Sequence, residues 1–159
     1  MSQAASFEIL YAFDENMNDA FAALLTTGGL TVVKRGDSDD VATPYSVVDF
    51  VTGAARDHWK QMSDGSQRPD SWNAKLTIGI KTHRSTAAQV DIQKNWKAKL
   101  RKIFYDIKTN FVEANFPYYY VAQIMETGES PSLVTEDDHE ICGVEWDIIF
   151  GIRTNAWPE

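Results

Sequence analysis

The sequence is poor in cysteine, in basic residues and in long apolar runs, and each shortage removes a class of protein. Cys142 is its one cysteine, so no disulfide forms within the chain, which suits a reducing cytoplasm. Lys and Arg number 15 against 23 Asp and Glu, a formal net charge of −8. Gripping nucleic-acid phosphates takes concentrated cationic side chains, so this balance argues against a nucleic-acid-binding protein. It leaves room for a protein that surrounds DNA, because acidic walls prevent sticking. No stretch approaches the ~18 consecutive apolar residues of a membrane span. The start, MSQAASFEILYAF, lacks the basic segment, apolar run and small-residue cleavage site of a signal peptide. These absences predict a protein made in the cytosol, without a membrane partner.

Catalytic signatures are equally scarce. There is no G-x-S-x-G elbow, no phosphate-cradling loop and no dinucleotide fingerprint. His58, His83 and His139 are far apart in sequence, and His139-x-x-Cys142 is half a zinc site with no C-x-x-C or H-E-x-x-H to complete it. Cys142 falls on the apolar side of an expected strand, the place for a buried, inert thiol. Gly28-Gly29 follows a helical pattern and reads as its stop signal. The sequence therefore predicts no catalytic, cofactor-binding or metal-binding residue.

What is present is an ordinary globular composition, 43% hydrophobic and 24% charged, in a length that suits one core. Met17, Ala20, Phe21 and Leu24 recur at helical spacing and predict an N-terminal helix ending at Gly28. Its start is open: Phe13 extends the stripe, toward Ser6 at the earliest, while Phe7, Ile9 and Tyr11 alternate as a strand would. LTVV (30–33) and PYSVVDFV (44–51) read as strands, the second led by Pro44. Residues 53–71, GAARDHWKQMSDGSQRPDS, read as an extended loop of the length that is commonly functional. In DSWNAKLTIGIKTHR (70–84), Trp72, Ala74, Leu76, Ile78 and Ile80 point one way, and Asn73, Lys75, Thr77, Gly79 and Lys81 the other. That period of two predicts a strand with one buried and one open face.

From Thr86 to Phe111 the pattern turns helical. Ile92, Trp96, Leu100, Ile103, Phe104, Ile107 and Phe111 share an arc of roughly 120°, enough to cover a sheet face. Beside that arc Lys94, Lys97, Arg101 and Lys108 form a basic stripe. YYYVAQIM (118–125) reads as a strand, and 126–140 as an acidic loop carrying Glu126, Glu129, Glu136, Asp137, Asp138 and Glu140. Residues 141–153 alternate again, with Cys142, Val144, Trp146, Ile148, Phe150 and Ile152 on one side, and 154–159 form a tail. Lys75 and Lys81 are expected to complement Glu145 and Asp147 across strands. The fold class is α+β: residues 1–159 as one domain, a mixed or antiparallel sheet of about four to five strands, one long helix across it and an N-terminal helix. Opposite charges at two places on one chain suit a head-to-tail contact between copies. This makes Lys94, Lys97, Arg101 and Lys108, with Glu136, Asp137, Asp138 and Glu140, candidate subunit-interface residues. Arg56, His58, Trp59, Lys60 and Arg68 in the 53–71 loop are candidate partner contacts.

The order of these elements, with PYSVVDFVTG followed by a polar loop and SWNAKLTIGI, resembles the tail terminator proteins of long-tailed bacteriophages over Pro44 to Thr154. The 53–71 loop is longer than in smaller members of that family. The resemblance implies a structural virion protein without catalysis or cofactor, forming a sixfold ring on the tail tube. Such a ring stops tube polymerisation and offers the joining surface for the head. Its implied partners are further copies of itself, the tail tube protein and head-completion or connector proteins, with DNA passing through the lumen unbound. Its implied place is the neck of the virion, after assembly in the bacterial cytoplasm. Two other readings fit the same residues: another neck or head-completion component, or a small cytosolic α+β enzyme or ligand-binding domain with its site under the 53–71 loop.

Overall fold

The structure, a computed structural model, describes residues 11–33, 42–56, 60–61, 67–68, 71–84 and 88–153. Helix α1 spans Phe13–Thr27 and buries Met17, Phe21, Leu24 and Leu25. It ends in a glycine stop: Gly29 takes φ +90°, its N–H bonds Thr26 O at 3.1 Å, and Leu30 N–H bonds Leu25 O at 3.1 Å. These two bonds satisfy carbonyls that a helix end leaves open, and buried Leu30 closes over the turn. The alternation that leaves a strand start possible before Phe13 falls largely on residues 1–10, outside the described residues.

Five strands form one mixed sheet in the order β1-β2-β5-β7-β6: β1 Val32–Val33, β2 Tyr45–Ala55, β5 Trp72–His83, β6 Tyr119–Val134 and β7 His139–Ile152. β1 lies parallel to β2, and every other pairing is antiparallel. Between β2 and β5 the predicted loop holds a small antiparallel pair, β3 Lys60–Gln61 with β4 Gln67–Arg68, and β2 itself runs on to Ala55. Segment 53–71 is thus partly ordered strand.

The predicted acidic loop 126–140 is also corrected. Residues through Val134 belong to β6, and only 135–138 turn. This strand lies at the sheet edge and shifts register three times, between Val121 and Gln123, Glu126 and Gly128, and Ser130 and Leu133. Bulges of this kind break the period of two by which a strand is read.

Two helical stretches replace the predicted long one: α2 Gln89–Tyr105, then, after Asp106, the single turn α3 Ile107–Asn110. α2 lies across the sheet and buries Trp96, Leu100, Ile103 and Phe104 in the same cluster as Leu76, Ile78, Val144, Trp146 and Ile148. Phe104 meets Trp146 edge-on with ring centroids 4.5 Å apart. Ile107, expected in this contact, has its side chain outside the described residues.

Both edges of the sheet are protected against stray pairing. On β6 the protection is the three bulges. On β2, past its short pairing with β1, it comes from α1: Asn18 Oδ1 accepts from Phe50 N–H at 2.8 Å, Asn18 Nδ2 donates to Phe50 O at 3.3 Å, and Asp14 Oδ1 accepts from Thr52 N–H at 2.8 Å. Both groups of the Asn18 carboxamide thus meet one residue of the strand edge, as a neighbouring backbone would.

Candidate interaction surfaces

The basic stripe lies where the sequence puts it, on the flank of α2, but its counter-charges are on the adjacent strand. Glu126 and Glu129 stand opposite Trp146 and Val144 in the register, which turns them toward the helix side of the sheet. Arg101 Nε reaches Glu126 Oε1 at 2.8 Å, Arg101 Nη2 reaches Glu129 Oε1 at 3.4 Å, and Lys97 Nζ reaches Glu129 Oε2 at 3.1 Å. The hydrogen bond from Lys97 is the main cause holding the Glu129 carboxyl below its usual range. The bond to Glu126 likewise raises the already high value of Arg101. Lys94 is exposed and makes no ion pair with a described residue. The side chain of Lys108 lies outside the described residues.

The acidic residues 136–140 sit at the turn joining β6 and β7, where they pair with the end of β5. Asp137 Oδ2 stands 3.4 Å from Lys81 Nζ and 3.0 Å from His139 Nδ1, and the Thr135 hydroxyl donates to Asp137. Asp138, in the left-handed region at φ 61°, meets Arg84 at 3.6 Å. Glu140 accepts from Gln89 Nε2 at 2.5 Å. Glu136 is exposed without an ion partner among the described residues. Among the described residues no ion pair joins the stripe to the acidic turn. Each is largely neutralised by residues outside the proposed set, chiefly Glu126, Glu129, Lys81 and Arg84.

Cross-strand complementarity on the open face is partly as expected. Lys75 stands opposite Asp147, whereas Glu145 faces Thr77 and Lys81 faces Ile141. Lys81 turns instead to Asp137 and lies over the Tyr45 ring, 5.8 Å from its centroid. His83 and His139 are register partners with ring centroids 4.8 Å apart. Among the described residues no group of three or more His, Cys, Asp or Glu is arranged to hold a metal.

Of the predicted partner-contact residues, Arg56 is exposed at the end of β2, its N–H bonded to Ser71 O at 2.9 Å. Lys60 and Arg68 are opposite one another in the β3–β4 pair, their side chains outside the described part. His58 and Trp59 lie outside the described residues.

Clefts border α1 on more than one side, and two are described by their walls. One, of about 270 Å³, lies against the β2 edge and is rimmed by Asp14, Glu15, Asp19 and Asp49. The other, of about 260 Å³, lies between α1 and the approach to β6, with Asn16, Phe116 and Pro117 in its wall. Among the described residues neither has a lining residue from segment 53–71. Beside the second cleft Asn16 Nδ2 donates to the Tyr119 hydroxyl at 3.1 Å, and burial pushes that phenol up to about 12. No described helix is long and apolar enough to cross a membrane.

Neither a protein-family model nor a curated protein matches the chain. Among solved structures it is similar, at 13% identity and a TM-score of 0.43, to a protein whose name describes no function, over 100% of this chain and 99% of that one.

Proposed function

We propose that this protein is a tail terminator of a long-tailed bacteriophage, a ring that caps the tail tube and receives the head. The observation that carries this reading is the run of sequence from Pro44 to Thr154 and the order in which its elements occur. Two features support it. The four long strands of that run lie in one open-faced sheet with α2 across the other side, a shape that packs side by side. The net charge of −8 suits a lumen through which DNA slides without sticking. Of the candidate interface residues, Lys97, Arg101, Asp137 and Asp138 have ion partners within the chain. Lys94 and Glu136 have none among the described residues, and we assign these two to the contact between neighbours. A polymerising tail tube protein tests the function. Added protein should stop tube growth and appear as a sixfold ring on tube ends by electron microscopy. Tubes that grow to unchanged length with bare ends would refute the reading.

A further inference from the structure

We infer that the open face of the sheet is a two-fold docking surface for a second copy of this chain. The face opposite the helices carries one exposed row across four strands: Val51, Lys75, Asp147 and Met125, each the register partner of the next. Val51 is 48% and Met125 51% exposed, and Lys75 and Asp147 make no ion pair with a described residue although they stand side by side. The row therefore reads apolar, positive, negative, apolar. A two-fold axis running along the strands, between β5 and β7, carries each position onto its mirror place in the row. Lys75 then meets the partner's Asp147, Asp147 meets the partner's Lys75, and Val51 and Met125 cover the partner's Met125 and Val51.

Two same-face positions along the strands, Gly79 and Gly143 are register partners. The same axis lays each over its opposite number, where the Ser130 side chain covers Gly143 and Ile141 flanks Gly79, so the contact is made by the exposed row itself. Both signs of charge on one self-complementary row identify the occupant as another copy of the same face. The contact saturates at two chains and is separate from the ring-closing contact of the tail-terminator reading, so bare tube ends in that experiment would leave it standing.

Sedimentation equilibrium of the full chain, with fold checked by circular dichroism, tests the contact. The wild type should show a reversible monomer–dimer equilibrium. Lys75→Glu and Asp147→Lys should each weaken self-association at least about tenfold by setting like charges opposite, and Met125→Asp should do the same from the flank. Mixing the two charge variants should restore association, because each then presents the row the other lacks. Repair of a pair within one chain would not produce that result. Any assembly dissociated by Lys75→Glu and rebuilt in the mixture counts for the contact. A chain that stays monomeric at all concentrations, association that survives both Lys75→Glu and Met125→Asp, or charge variants that fail to associate when mixed would overturn it.

Discussion

At Asp137 a single carboxylate answers to three neighbours: the Thr135 hydroxyl bonds it, and His139 and Lys81 bring positive charge near. The hydrogen bond from Thr135 is the largest of these effects, and together they hold the carboxyl at about 2, below its ordinary 3.8. A carboxyl depressed by folding stabilises the fold above its unfolded value, and that stabilisation is lost as pH falls through the folded one. The window therefore runs from about pH 4 down to about pH 2. Asp137→Asn should lower the urea midpoint at pH 6, and the gap to wild type should close across that window. A gap unchanged between pH 5 and pH 2 would show that the Asp137 charge contributes nothing. The cost is spread over exposed groups, so the effect belongs to the turn and not to the core.

Among the elements, the β2 edge carries the sharpest expectation. Asn18 fills both backbone groups of Phe50, and removing its amide leaves a partly buried donor and acceptor unpaired. Asn18→Ala should cost about 1–3 kcal/mol and make the protein more prone to aggregate, since the strand edge is uncovered. Urea titration and light scattering measure the two effects, and unchanged values in both would contradict the plug. These elements also show what could be read in advance. β5 and β7 were legible because each is central, flanked on both sides by strands and covered on one face by helices, so alternation in sequence equals alternation in burial. β6 was legible only to Met125. Beyond it an edge strand with three bulges, Gly128 at φ +145° and the proline Pro131 carries no period to follow. The stripe on α2 was legible as residue types at helical spacing. Its partners Glu126 and Glu129 were not, because their facing toward the helix depends on the register of a strand read as loop. The break at Asp106 carried no signal, because the apolar spacing continues across it to Phe111.

At the scale of the whole molecule one core joins everything. Phe21 on α1 stacks on Phe50 of β2 and meets Phe104 of α2, and Phe111 and Phe116 beyond it, edge-on. On the other side of Phe50, Phe150 continues the chain of rings to Trp72, Phe13 and Tyr119. Phe21→Ala should cost about 3–5 kcal/mol and shift tryptophan fluorescence and far-ultraviolet dichroism to the same new midpoint, as one cooperative unit requires. Two separated transitions would show that helices and sheet unfold apart. β7 gives this arrangement a further consequence, one of timing. It lies between β5 and β6 in the sheet yet follows every other strand in the sequence. On the ribosome, α1, β2 and β5 emerge with their apolar sides facing a gap that only the last strand fills. Until Ile152 clears the exit tunnel the nascent chain has a rim and no centre, so this sheet is committed to forming late and all at once, when its central strand arrives.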